Sequence, residues 1–203
     1  IEVSDSGQPT SFTGNAGEAE RWGSELELQW SPTDNLLLAA SWAHMDGDFE
    51  EYPPQCGTGA FLNTCIDTDD IAQRSNAADD QRSLGGDWVF ARTDWADFMA
   101  HVEVFWQDET AAAAMWPTTY DIPGGSYPYI HDHIMLKEHT IVNARLGIEN
   151  VELSTGTLRA ALWGRNLGDE EYNTFGINFA SLGPVTAHYG EPRSWGMDVT
   201  WEF

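Results

Sequence analysis

The sequence contains no apolar run that approaches the roughly 18 residues needed for a membrane-spanning helix. Its mean hydropathy is mildly polar, which would ordinarily indicate a soluble protein. That inference fails for membrane β-strands, because they alternate lipid-facing and water-facing residues and average out as polar. The 203 residues begin at Ile1, without methionine, signal peptide or basic leader, so we expect a processed protein or a fragment.

Basic residues are scarce: 9 Lys and Arg stand against 33 Asp and Glu, for a net charge of −24. This balance argues against a nucleic-acid partner, whose phosphates would be repelled. Much of the acidity lies between Asp46 and Asp80, a segment that is typical of a solvated loop. Its Asp67, Asp69 and Asp70 would be able to hold Ca²⁺ through carboxylate oxygens. They lack a fixed calcium-loop pattern, so a solvated loop is the favoured interpretation, and no cofactor is firmly implied.

Cysteine is limited to Cys56 and Cys65, nine residues apart in the same acidic segment. An isolated pair at this spacing predicts a local disulfide in an oxidising compartment. A metal pair is disfavoured because no His or further Cys lies close by in sequence. Catalytic signatures are also missing: we find no serine nucleophile elbow, phosphate-binding glycine loop or zinc-enzyme motif, so we do not expect an enzyme.

Alternation with a period of two residues predicts β-strands throughout the chain. The clearest is the last, where Trp195, Met197, Val199, Trp201 and Phe203 form one face and polar or small residues form the other. The predicted strands are 22–30, 36–45, 82–90, 96–107, 140–150, 157–166 and 195–203, with Ile1–Val3 as the end of an eighth. The apolar run at 36–40 does not alternate, so the pattern leaves the facing of that strand open.

The connections between these strands alternate between short and long. Tight turns are predicted at 31–35, 91–94 and 153–156, and long segments at 46–81, 108–139 and 167–192. An antiparallel up-and-down transmembrane β-barrel has this pattern, with short periplasmic turns and long extracellular loops. The fold class is therefore all-β, with seven or eight barrel strands in this chain.

Aromatic spacing supports the membrane interpretation independently. Trp22 and Trp30, Phe98 and Trp106, and Trp195 and Phe203 are each eight residues apart on one face. Eight residues of a tilted strand project to roughly 20 Å along a barrel axis, close to the separation of two interfacial aromatic belts. The opposite face would line the barrel interior, and its charges of both signs would pair across strands. These charged residues are Glu25, Glu27, Glu103, Glu149, Glu202, Arg145, Arg159 and Arg165.

Two segments resemble TonB-dependent outer-membrane receptors. Residues 15–28, Asn-Ala-Gly-Glu-Ala-Glu-Arg-Trp-Gly-Ser-Glu-Leu-Glu-Leu, are similar to a run in that family's later barrel strands. Near the C-terminus, residues 166–172 resemble its Asn-Leu-x-Asp-x-x-Tyr motif, and residues 190–196 resemble the Gly-x-Pro-Arg-x-x-Gly that opens its last strand. Terminal Phe203 resembles the aromatic residue read by the outer-membrane barrel assembly machinery.

The resemblance implies that residues 1–203 form the C-terminal part of such a barrel, in the outer membrane of a bacterium and surrounded by its lipid. It implies active import of a scarce ligand, such as siderophore-bound iron, cobalamin or an oligosaccharide, energised by TonB through a plug domain. The plug has no counterpart in these residues. The residue types in these motifs indicate structural roles. Asn166 and Asp169 would bond local backbone, and Pro192 would fix φ before the last strand. Gly23 and Gly196 would permit close approach of neighbouring backbone.

The long connection 108–139 is the candidate ligand-binding segment, because external loops meet ligands first. Its aromatic residues are Trp116, Tyr120, Tyr127 and Tyr129. They would form a platform for a sugar or siderophore, and anchoring at the membrane interface is an equal alternative. His131 and His133 would be able to ligate iron or another transition metal, although a solvated loop is favoured. Two other functions stay open for the chain: a stand-alone small barrel with a structural or adhesive role, and a soluble β-rich carbohydrate-binding module.

Overall fold

The computed structural model describes residues 2–3, 9–10, 17–51, 55–56, 65–66, 77–112, 135–178 and 185–203. Most of them form one antiparallel sheet of seven long strands. The strands are β1 (Glu18–Thr33), β2 (Leu36–Glu51), β3 (Asp80–Arg92), β4 (Asp97–Gln107), β5 (His139–Leu153), β6 (Gly156–Arg165) and β7 (Ser194–Glu202).

Each strand pairs with the next one in the chain, so the sheet is a simple meander with β1 and β7 at its edges. The predicted order of strands is confirmed, and several extend beyond the predicted bounds: β2 continues to Glu51 and β1 to Thr33. The turns 34–35, 93–96 and 154–155 lie at one end of the sheet, and the long connections 52–79, 108–138 and 166–193 lie at the other. Short and long connections therefore alternate as predicted.

Short strand pairs lie outside the sheet, within or before the long connections. Glu2–Val3 pairs with Pro9–Thr10, Thr110–Ala111 with Met135–Leu136, and Asn173–Asn178 with Val185–Tyr189. The prediction that Ile1–Val3 ends an eighth strand is wrong, because Glu2–Val3 pairs locally instead of joining the sheet. A local pairing closes a much shorter loop and so loses less chain entropy.

The register settles which residues share a face, since side chains directly opposite each other lie on the same side of a sheet. Leu26, Leu28 and Trp30 of β1 stand opposite Trp42, Ala40 and Leu38 of β2. Leu36 stands opposite Trp88 of β3 and so belongs to the same side. The open question about 36–45 is thereby answered: Leu36, Leu38 and Ala40 lie on the apolar face, and Leu37 and Ala39 lie on the polar face.

The apolar face is exposed over its whole width. Leu26, Leu146 and Leu162, on three different strands, are 61%, 58% and 59% exposed. Aromatic side chains occupy both ends of this face: Trp22, Trp42, Trp106 and Trp195 lie near the long connections, and Trp30, Trp88, Trp95, Phe98 and Trp201 lie near the short turns. The two aromatic belts predicted from spacing are therefore present on one continuous face.

Buried side chains are concentrated at the base of the long connections rather than within the sheet. They are Ala78, Thr110, Ala111, Ala112, Leu136, His139, Asn166 and Asn173, whereas Ala96 and Ala161 are the other buried non-glycine residues in the described part of the chain. None of the described residues belongs to a helix long and apolar enough to cross a membrane.

Candidate functional site

The predicted ligand-binding and metal-binding residues all lie outside the described residues. This applies to Trp116, Tyr120, Tyr127, Tyr129, His131 and His133 of the long connection, and to the candidate calcium ligands Asp67, Asp69 and Asp70. Among the residues that are described, no three His, Cys, Asp or Glu side chains group closely enough to hold a metal ion.

The backbones of Cys56 and Cys65 are described, and they stand directly opposite each other in the short pair Gln55–Cys56 with Cys65–Ile66. Opposed residues of antiparallel strands have Cα atoms about 4.5–5.5 Å apart, within the range that a disulfide spans. The register is thus compatible with the disulfide, which stays a prediction.

The polar face carries ion pairs that cross strands. Arg145 on β5 donates to the carboxylate of Asp198 on β7 at 2.8 Å, reaching across the intervening β6. The indole N–H of Trp163 on β6 donates to the other oxygen of Asp198 at 3.2 Å. Arg159 of β6 pairs with Glu202 of β7. Opposite charges on this face therefore pair as predicted, and they join the last three strands.

A second polar group lies on the same face of β3, β4 and β5. His101 contacts Asp87 at 2.8 Å, and the amide of Asn143 donates to Glu103 at 3.4 Å. Sequence reasoning missed the His101–Asp87 pair, although both residues fall on the polar phase of their strands. The pair becomes visible only when the register between β3 and β4 is known, because neither residue has a motif around it.

Three long connections are tied together at their base. The backbone N–H of Ala77 donates to the hydroxyl of Thr110 at 3.1 Å, linking the first connection to the second. The amide of Asn173 donates to the carbonyl of Met135 at 3.4 Å, linking the third to the second. The rings of His139 and Tyr172 stack with centroids 4.4 Å apart. We call this set of contacts the loop base; it fixes the positions from which the distal loops extend.

Asn166 forms the centre of the junction where the chain leaves β6. Its side-chain amide donates to the carbonyls of Glu170 and Glu191, at 2.9 and 3.0 Å, and its side-chain oxygen accepts from the N–H of Glu170 at 2.9 Å. Asp169 accepts from both the backbone N–H and the guanidinium of Arg193, at 3.3 and 3.2 Å. The bonds to Glu170 confirm that Asn166 bonds local backbone at this exit. The backbone partner of Asp169 is instead Arg193, which precedes the last strand.

Two predicted close approaches at glycine are also confirmed. A Cβ at Gly23 would lie 2.5 Å from the carbonyl oxygen of His44 on the neighbouring strand. A Cβ at Gly196 would overlap the ring of Trp163, which lies across it from β6. Both glycines thus permit contacts that any larger residue would disturb.

Phe203 follows the last strand and is 98% exposed. Its ring is tilted against that of Trp201 on the apolar face, with centroids 5.5 Å apart. The role of Phe203 as an assembly signal stays a prediction.

No protein-family model and no curated protein matches the chain. Two solved structures are similar to it over nearly its whole length. One is the siderophore receptor PiuA from Acinetobacter baumannii, with 17% identity, a TM-score of 0.60, and coverage of 90% of this chain and 22% of that one. The other is the ferric yersiniabactin uptake receptor FyuA from Yersinia pestis, with 14% identity, a TM-score of 0.62, and coverage of 91% and 24%.

The chain therefore spans about a quarter of the length of these receptors or slightly less. At such low identity the likeness establishes the fold. The predicted fold class, an antiparallel up-and-down β-barrel segment, is confirmed.

Proposed function

We propose that this chain is part of the barrel wall of an outer-membrane receptor that imports a scarce ligand, in the first instance a ferric siderophore. The observation that carries the proposal is the exposed apolar face bounded by two aromatic belts. Monomeric soluble proteins rarely expose contiguous apolar patches beyond a few hundred Å², whereas a lipid-facing barrel wall requires one. The apolar face thus disfavours a soluble carbohydrate-binding module.

The two free edges of the sheet support membership of a larger barrel. Among the described residues, β1 and β7 pair on one side only and not with each other. An open edge leaves a row of unpaired backbone groups, which cost several kcal/mol each in hydrocarbon. Additional strands that cover both edges would remove this cost. The edges therefore favour a segment of a large barrel over a stand-alone small one.

The siderophore assignment is supported by the two similar structures, whose names specify siderophore and ferric yersiniabactin uptake. The sequence motifs add the resemblance to TonB-dependent receptors, so we propose that TonB energises the import through a plug domain. The ligand would be met first by the connection 108–138, where Tyr127 and Tyr129 would contact it and His131 and His133 would assist. The loop base would hold that connection in place.

The proposal is tested in two steps with the full-length protein that contains this chain. Outer-membrane fractionation and heat-modifiable gel migration test the barrel, and both should be positive. Uptake of ⁵⁵Fe from a panel of ferric siderophores by cells with and without the gene then tests transport. We expect gene-dependent uptake of at least one siderophore that stops when TonB is removed. Uptake that is unchanged by loss of the gene across the panel would overturn the assignment.

The binding residues are tested in the same cells. Replacing Tyr127 and Tyr129 by Ala should weaken ligand binding while heat-modifiable migration stays normal. A control variant, Tyr189→Ala, changes an exposed tyrosine of a different connection. If the wild type, the variant with Tyr127 and Tyr129 replaced, and Tyr189→Ala all bind the ligand equally, the 108–138 connection is not part of the proposed site.

A further inference from the structure

A single arginine lies on the apolar face of the described sheet. Arg82 of β3 stands opposite Trp42 of β2 on one side and Trp106 of β4 on the other, so these residues form one row across three strands. The other arginines of the seven strands occupy the polar phase; they are Arg21, Arg92, Arg145, Arg159 and Arg165. An arginine on a lipid-facing surface is costly at mid-membrane and tolerable only near an interface.

The position of this row matches an interface. Arg82 is the third residue of β3 from the long-connection end, and Trp106 is the penultimate residue of β4. Its two flanking indoles belong to the aromatic belt at that end of the apolar face. Interfacial tryptophans mark the level of lipid headgroups in membranes. Directly below Arg82 on the same face, Leu84 stands opposite Val104, so apolar surface continues beneath the row.

The hydrogen bonds of the row leave the guanidinium largely free. Asp80 accepts from the indole N–H of Trp42 at 2.8 Å and contacts His44 at 3.3 Å. Arg82 is 4.0 Å from Asp80, the outer limit of an ion pair, and lies 4.8 Å from the ring centroid of Trp106. Its side chain is 62% exposed. A guanidinium has five N–H donors, and at this exposure it can accept a further anionic partner.

We propose that Arg82, held between Trp42 and Trp106, binds the phosphate of a lipid headgroup in the outer leaflet, specifically the phosphorylated lipid A of lipopolysaccharide. This inference rests on the proposed function, which puts the long connections outside the cell. A guanidinium matches phosphate geometry with two parallel N–H donors. The chain as a whole is strongly acidic and would repel an anionic headgroup. A specific local cation is therefore needed, and the acyl chains would lie over Leu84 and Val104.

The test uses the full-length protein, purified in detergent and stripped of lipid. Native mass spectrometry measures binding of lipid A, of lipid A without its phosphates, and of phosphatidylglycerol. We expect preferential binding of phosphorylated lipid A, and a loss of about tenfold in affinity for Arg82→Gln, the size of one charge-assisted contact. Arg82→Lys should retain part of the affinity. Arg92→Gln, the same change on the polar face, should bind like the wild type.

Heat-modifiable migration of each variant verifies that the barrel is intact. A second variant, Trp106→Leu, keeps the charge of Arg82 but removes the ring that it contacts. It should lose affinity by a few fold. Equal binding of the phosphorylated and dephosphorylated lipids, or unchanged binding by Arg82→Gln, would overturn the site. Equal binding of phosphatidylglycerol would overturn the assignment to lipid A. A protein that is absent from the outer membrane would instead overturn the proposed function.

Discussion

Replacing Asn166 by alanine should destabilise the junction between β6 and β7 more than any other single truncation at that exit. Asn166 is only 3% exposed and adopts a left-handed backbone, with φ of 47°. Alanine removes three side-chain hydrogen bonds and leaves the carbonyls of Glu170 and Glu191 without these donors. Each lost bond costs about 0.5–1.5 kcal/mol.

The left-handed backbone adds a separate cost. Alanine in this conformation is disfavoured by about 1–2 kcal/mol, whereas glycine is not. The expected total for Asn166→Ala is therefore about 3–6 kcal/mol, and Asn166→Gly should recover about 1 kcal/mol of it. The chain offers a matched control in Asn150, which also has a left-handed backbone, with φ of 55°, but is exposed and makes one side-chain bond, to Asp97. Asn150→Ala should cost about 1–2 kcal/mol.

Two measurements check this reasoning in the full-length protein, folded in lipid vesicles. The urea midpoint reports the global cost, and the rate of protease cleavage within 166–193 reports local release of the connection. We expect faster cleavage for Asn166→Ala than for Asn150→Ala, together with the lower midpoint. If the two variants behave alike in both assays, the buried hydrogen bonds of Asn166 do not hold this junction.

Three further changes test other parts of the structure. Leu146→Arg puts a charge in the middle of the exposed apolar face and should lower the free energy of unfolding in lipid by about 2–4 kcal/mol, whereas Gln29→Arg on the polar face should be close to neutral in the same urea titration. Gly196→Ala forces a methyl group into the indole that covers it and should cost about 1–3 kcal/mol; an unchanged urea midpoint would contradict the contact. Cys56 and Cys65 should resist alkylation until a reductant is added, as measured by intact mass, and labelling without reductant would refute the disulfide.

The strands and their apolar face could be predicted from the sequence because most strands show a local alternation of apolar and polar residues. Trp195 to Phe203 alternates without interruption, and the register later places it where that pattern requires. The facing of 36–45 could not be predicted, since Leu36 and Leu37 are both apolar and lie on opposite faces. Leu37 stands opposite Asp87 on the polar side, so only its partner strand decides its facing.

The contacts of the candidate site depend still more on distant partners. Arg145 and Asp198 are 53 residues apart and meet across an intervening strand. The alternation predicts that both face the polar side, but not that they pair. The stacking of His139 on Tyr172 likewise joins a strand end to a connection, and nothing in either local sequence indicates it.

The distribution of burial indicates which part of this chain positions the long connections. Within the sheet, one face is exposed and apolar and the other is polar, so neighbouring strands are held largely by backbone hydrogen bonds. Well-packed side chains gather instead at the loop base, where Thr110, Leu136 and His139 are buried. Substitutions there should therefore alter loop position while the barrel wall stays intact.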